Sequence, residues 1–442
     1  MSSAGLRQWS TRHWFTAAVF LGLGLRILIV SVAGNQMYAA WSGGGDTAAY
    51  VTLAENLLEG KGFSFAGQPS AFRPPGYPML LAGMKRLSPT YYFAAVRWLQ
   101  FALGLATAYL CAQAAARLFG DRAWRPGFAV ALLFPTLPFM TGEVLTESVG
   151  AFLSAVFIYL LVEQTSQPSP ARAAGLGFAA GLASLFRFNM AVLVIIAVWA
   201  ALKAQRGTPR WQHAALTLTL AAVVVTPWVA RNVVVFHGEV IYSTQSGLNA
   251  VAGVVAPQGR ALPAEQEKLQ ETPGWISHVE LETNDPSRRQ LPSEQEVNRQ
   301  AWRTTWRLWE EKGWRLLPII LAKLTYFWLS TDQLLSTQTL PAPVRWVRAA
   351  GVMVYWFLLF LAVPGWLWLR KRHREIAKLF LLYAVLFTVL HLPFVMNTRL
   401  RVPVMDPLLA MLAGGGSLTL LFPQREEALA KSWATAERGT SG

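Results

Sequence analysis

The feature that most constrains this chain is the recurrence of apolar runs about 20 residues long, from one end to the other. A helix of that length crosses the hydrocarbon core of a bilayer. Ten such runs are read at 14–34, 91–116, 125–141, 144–163, 173–187, 189–204, 213–231, 347–369, 377–395 and 403–421. A closed β-barrel would show short, alternating segments instead. The expected fold is therefore an all-α polytopic membrane protein. Composition agrees: 14% of the 442 residues are charged, against about 25% in an ordinary soluble domain.

The net charge of +15 does not point to nucleic acid, because the basic residues sit at the ends of the apolar runs rather than in one patch. Membrane proteins hold Lys and Arg in their cytoplasmic loops. The turns 117–125, 164–172 and 203–211 are basic and read as cytoplasmic. The short turns 135–143 and 187–189 then read as external. Arg7, Arg12 and His13 precede the first run, so the N-terminus is expected to stay inside, and no cleavable signal is read. Nineteen tryptophans suit interfacial belts that contact membrane lipids. Cys111 is the sole cysteine and reads as a small core residue.

This gives three parts. Residues 1–235 form an N-terminal transmembrane module with a first external loop at 35–90, whose piece 78–87 reads as an interfacial helix. Residues 236–346 form an external loop or cap, most polar near 236–312, with further interfacial helices. Residues 347–442 form the last transmembrane helices and a cytoplasmic tail. The apolar segment 314–330 is the test of this scheme. Were it to span, Arg370–Arg374 would fall outside and Lys323 would sit deep in the bilayer, at a cost of about 3 kcal/mol on insertion scales. Ten spans are therefore expected. The alternative is twelve, with 314–330 and 331–346 both crossing; Pro341 and Pro343 oppose it.

Chemistry is expected at the outer boundary. Asp46 follows three glycines, which allow close backbone approach to a ligand, and it is placed to act as a general base. It also suits the N-cap of a helix at 47–58. Arg73 stands before the rigid turn Pro74-Pro75-Gly76-Tyr77-Pro78, where a guanidinium suits a phosphate. Glu143 and Glu147 are spaced by one helical turn and could fix a sugar hydroxyl or, with Asp46, a divalent metal ion. Arg187, Arg231 with Asn232, Arg399 and Arg401 fall at external turns, and Lys323 joins them. Cations placed against the positive-inside trend ask for an anion, and a lipid phosphate would supply one. Gly414-Gly415-Gly416 lies within the last apolar run and reads as a close-packing spot.

Three blocks together resemble the GT-C superfamily of membrane glycosyltransferases, specifically bacterial members of the family 39 type. They are Gly45-Asp46-Thr47-Ala48-Ala49-Tyr50 with Phe72-Arg73-Pro74-Pro75-Gly76-Tyr77-Pro78; Pro227–Asn232 running on to Asn249; and Asn397-Thr398-Arg399-Leu400-Arg401-Val402-Pro403. The resemblance implies a bundle with the catalytic Asp in its first external loop, at Asp46. It also implies a sugar donor carried on a polyprenyl phosphate and transfer on the periplasmic or exterior side of the cytoplasmic membrane, to a lipid, glycan or protein acceptor. Thr47 stands where such proteins often carry a second acid, which weakens assignment to the protein O-mannosyltransferase branch and leaves metal use open. The rival reading is a transporter or flippase of a lipid-linked sugar; the absence of a visible inverted repeat opposes it.

Overall fold

Each apolar run becomes helix, broken where proline or a polar link demands it. The computed structural model describes residues 13–31, 46–203, 209–255, 270–272, 276, 278–329, 342–396 and 398–421. The helices are α1 (His13–Ser31), α2 (Asp46–Leu58), α3 (Gly76–Leu87), α4 (Tyr92–Phe119), α5 (Trp124–Leu133), α6 (Thr136–Gly142), α7 (Glu147–Ser166), α8 (Pro170–Phe186), α9 (Val192–Leu202) and α10 (Arg210–Val235). They continue with α11 (Ser246–Val255), α12 (Glu294–Lys312), α13 (Leu316–Leu329), α14 (Ala342–Arg372), α15 (Arg374–His391) and α16 (Thr398–Leu421). Six of them are long and apolar enough to cross a membrane: α1, α4, α7, α10, α14 and α16. The fold is thus the polytopic helical bundle that the sequence requires.

The run 125–141 is not one helix. Pro135 has no N–H and disfavours helical backbone at the residue before it, so Phe134 turns to ψ 118° and α6 starts afresh. The next helix begins at Glu147, while Glu143 is extended at φ −85°, ψ 133°. Glu143 and Glu147 therefore do not share a helical turn. The run 189–204 begins with a 3-10 turn, Phe188–Ala191, ahead of α9.

Helix α16 lies at the centre, with 83% of its span buried, and α7 is next with 72%. Glycines set how closely their neighbours approach. A Cβ on Gly416 would fall 2.0 Å from the Leu361 carbonyl oxygen, one on Gly414 would fall 2.6 Å from Gly127 Cα, and one on Gly415 would enter the Phe119 ring. The triple glycine is a packing device, as its position in the last run implies. Gly177 and Gly181 do the same for α8 against α10, with Thr217 O and Ala221 O at 2.0 and 2.9 Å from a hypothetical Cβ.

The bundle has two chemically distinct ends. At one, Glu163 on the last turns of α7 binds Arg117 at 2.8 Å and Arg172 at 3.0 Å. The basic C-terminus of α14 lies at this end too, since Trp368 packs on Phe119 at 5.0 Å. At the other end, the starts of α2, α7 and α16 meet the C-terminus of α8.

The first loop folds against this second end. Its hairpin pairs Ser64–Phe65 with Gln68–Pro69 through a two-residue turn at Ala66 (φ 49°) and Gly67 (φ 80°). Left-handed backbone at both positions matches the twist of a tight hairpin, but Ala66 takes it at a steric cost. The segment after residue 278 holds Ala66 there: Asn284 Oδ1 accepts from Ala66 N at 3.0 Å, and Arg289 donates to Ala66 O at 3.0 Å. Asn284 also exchanges two amide bonds with Asn56, each 3.0 Å. Phe72 of the first loop is buried among Leu248, Val251, Leu281, Val297 and Ala301. The described parts of 236–312 thus pack on the first loop.

Helix α13 has 14 residues, about 21 Å at 1.5 Å per residue and short of a bilayer core. The stretch 331–346, needed for twelve spans, falls largely outside the described residues.

Because the atoms facing Gly177 are backbone and cannot rotate away, Gly177→Val must force α8 from α10. Overpacking of this kind costs about 1–3 kcal/mol or more. Thermal unfolding in detergent should show a clearly lowered midpoint.

Candidate active site

Asp46 opens α2, in the first turn rather than before it, where the helix dipole favours an acid. Its two oxygens are both engaged. Arg73 Nη2 donates to Oδ1 at 2.7 Å and Arg399 Nη2 donates to Oδ2 at 3.0 Å. Arg399 comes from the first turn of α16, and so reaches Asp46 across 353 residues of chain.

Each arginine has a second, more deeply buried acid behind it. Arg399 binds Glu147 Oε1 from Nε at 3.0 Å and from Nη2 at 2.9 Å. Arg187, at the end of α8, reaches the same oxygen at 3.3 Å and donates to the Thr146 hydroxyl. Arg73 binds Glu282 with its Nε and, at 2.7 Å, with Nη2. Burial follows the same order: Glu147 and Glu282 side chains are 0% and 2% exposed, whereas Asp46 and Arg399 are 25% and 27% exposed. The site is a chain of charges closed at its base and open at Asp46 and Arg399.

Burial alone would lower the Arg73 pKa. Asp46 and Glu282 outweigh it and hold the guanidinium well above its usual range, so Arg73 is a fixed cation. Its guanidinium also lies 5.4 Å from the Tyr50 ring and 5.6 Å from that of Phe72. Arg187 Nε is buried with no hydrogen-bond partner, as is Glu147 Oε2. Unmet donors and acceptors of this kind carry a desolvation cost that a ligand or water would relieve.

The link between α6 and α7 forms another wall. Three consecutive carbonyls there are taken by side chains of two helices: from α4, Arg97 Nε donates to Gly142 O at 3.1 Å and Gln100 Nε2 to Glu143 O at 2.7 Å, and from α2, Thr47 Oγ1 donates to Val144 O at 3.3 Å. Tyr77, fully buried, donates to Gln100 Oε1 at 3.0 Å and so braces that wall from α3. The Glu143 carboxyl is pushed up to about 7 by burial, with Arg399 opposing, Glu147 adding, and Arg97 opposing.

The remaining expected cations lie elsewhere. Arg231 donates to Ser70 O at 2.7 Å and Phe63 O at 2.8 Å, tying α10 to the first loop. Asn232 reaches Ile241 O and Tyr242 O at 3.4 and 3.3 Å. Lys323 donates to Leu392 O and Phe394 O, each at 2.9 Å. Arg401 is fully buried, paired to Asp406 at 3.1 Å and 4.4 Å from the Tyr355 ring. These four serve the frame. Glu282 and Thr146 join the site without having been singled out in the sequence. Glu282 stands in an acid-rich stretch where nothing but its burial against Arg73 distinguishes it. Among the described residues no three His, Cys, Asp or Glu side chains gather as a metal set.

Residues 72–230 match the family model described as dolichyl-phosphate-mannose-protein mannosyltransferase. No curated protein matches the chain significantly. Among solved structures, the archaeal oligosaccharyltransferase AglB of Archaeoglobus fulgidus, in complex with an inhibitory peptide and a dolichol-phosphate, is similar at 13% identity with a TM-score of 0.52. The match covers 96% of this chain and 52% of that enzyme, so the chain spans about half its length. ArnT of Cupriavidus metallidurans, bound to undecaprenyl phosphate, is similar at 14% identity over 92% of this chain and 78% of that one, with a TM-score of 0.40. In fold the chain is similar to AglB, a membrane oligosaccharyltransferase, and over residues 72–230 its sequence is similar to the mannosyltransferase family named above.

The division between site and frame is testable at Arg401. Arg401→Met leaves Asp406 buried without its cation, and breaking a buried pair this way costs about 3–5 kcal/mol. Thermal unfolding should show that loss.

Proposed function

We propose that the protein transfers a sugar from a polyprenyl-phosphate carrier to a hydroxyl or amine of a lipid, glycan or protein acceptor. The reaction takes place at the Asp46 end of the bundle, facing the periplasm or exterior of the cytoplasmic membrane. The observation that carries this reading is the meeting of Asp46 with Arg73 and Arg399 at the open end of a buried charge chain. One carboxylate and two guanidiniums in contact supply both things the reaction requires. A base must take the acceptor's proton, and cations must receive the charge that develops on the departing phosphate. The matched family is described by a dolichyl-phosphate sugar, and AglB, similar in fold, is seen with a dolichol-phosphate.

These groups neutralise one another. Asp46, Glu147 and Glu282 face Arg73, Arg187 and Arg399, acid for base. An arriving phosphate competes with Asp46 for Arg399, the more exposed of its two partners. Once Arg399 turns to the phosphate, Asp46 Oδ2 is free to accept a proton. The acceptor oxygen or nitrogen then attacks the anomeric carbon from the face opposite the phosphate, and the configuration inverts. The bond to the phosphate breaks with its electron pair on the phosphate oxygen.

Asp46→Asn keeps shape and loses the base. Turnover of purified protein in detergent should fall by about 10²- to 10⁴-fold, with binding of the carrier lipid retained. Undiminished transfer by a folded Asp46→Asn protein would remove Asp46 from this role. Transfer in detergent, where no second compartment exists, also separates an enzyme from a flippase.

A further inference from the structure

We propose that Glu143 is the general acid of the transfer, delivering a proton to the phosphate oxygen that leaves the sugar. The inference rests on the sugar-transfer reading above and adds a second catalytic group to it.

Of the acids set around Asp46 and Arg399, Glu143 is the one whose carboxyl has no hydrogen-bond or ion-pair partner among the described residues. Asp46, Glu147 and Glu282 are each bound by guanidinium. The half-buried Glu143 carboxyl makes no hydrogen bond or ion pair, although its backbone is pinned on both sides through Gly142 O, its own carbonyl and Val144 O. A side chain on so fixed a support, left unpaired next to paired ones, is held for something that arrives. Thr47, which pins Val144, is the immediate neighbour of Asp46, so the link that carries Glu143 is tied to the turn that carries Asp46.

The charged and titratable groups facing Glu143 are Arg399 from α16, Glu147 from α7, Arg97 from α4 and Tyr77 from α3. Burial dominates them and places the carboxyl at about 7. At and below neutral pH much of it is therefore protonated. Two guanidiniums meanwhile match the charge of Asp46. Two acids whose surroundings separate them in this way are how one site runs acid and base chemistry together. A carboxyl near 7 is also matched to a phosphate monoester, whose second ionisation falls near pH 6.

The step balances. The acceptor's proton passes to Asp46 as its oxygen or nitrogen bonds to the anomeric carbon. The carbon–oxygen bond to phosphate breaks, and the electron pair stays on that oxygen. Glu143 gives its proton to the phosphate, and Arg399 holds the remaining charge. Asp46 is left protonated and Glu143 ionised; one proton moved through solvent restores both.

The test compares wild type with Glu143→Gln and Glu143→Asp, as full-length protein in detergent. Turnover of a polyprenyl-phosphate hexose and binding of undecaprenyl phosphate are followed from pH 5.5 to 8.5, a range chosen to bracket about 7. Wild-type turnover should decline as pH rises through about 7, where Glu143 loses its proton. Glu143→Gln should lose about 10²-fold in turnover and should lose that alkaline decline. Undecaprenyl phosphate should bind wild type more weakly above neutrality, by a factor that Glu143→Gln does not show. Glu143→Asp should restore the pH dependence, displaced, and covers the case in which the glutamine variant fails to fold. A wild-type rate and profile in a folded Glu143→Gln protein overturns the assignment while leaving sugar transfer intact. If wild type itself transfers nothing, the transfer reading fails and the role of Glu143 falls with it.

Discussion

The structure depends on the chain of ion pairs that runs Glu282–Arg73–Asp46–Arg399–Glu147–Arg187. It joins the first loop, the segment around Glu282, α7, α8 and α16 through charge. Charges this poorly hydrated are tolerable only when paired, so each residue's position is dictated by another's. That mutual requirement fixes where the first loop sits on the bundle and how the cap sits on the loop. It also leaves one pairing exchangeable, because a phosphate could replace Asp46 as a partner of Arg399 with little change in total pairing. Pre-arranged cations whose present partners can be exchanged are what catalysis of phosphate departure requires.

Most of the frame was legible in the sequence, because apolar run length is a direct physical demand of the bilayer. The breaks were not. Pro135 was visible, but the apolar residues around it masked its power to end α5. That error placed Glu143 one helical turn from Glu147, when it lies in an extended link. The triple glycine at 414–416 was legible as a packing spot, since nothing about its setting suited a phosphate loop.

The site was legible in its residue types and only partly in its partners. Cations against the positive-inside trend were taken to call for an external anion. For Arg73, Arg187 and Arg399 the chain supplies those anions itself, through Asp46, Glu147 and Glu282. For Arg231 and Lys323 backbone carbonyls suffice, and Arg401 has Asp406. An arginine at a turn carries no local sign of which case applies; that depends on what tertiary folding brings to it. Glu282 was hidden for the same reason: among many acids in a polar stretch, only contact with Arg73 selects it.

The central claim is that the charge chain is a phosphate site awaiting its ligand. A cryo-electron microscopy structure of the full chain with undecaprenyl phosphate tests it most directly. The account predicts the phosphate against Arg399, with Arg73 or Arg187 alongside, and the Asp46–Arg399 contact opened. A phosphate bound elsewhere on the bundle, with Asp46 still held by both arginines, would contradict it.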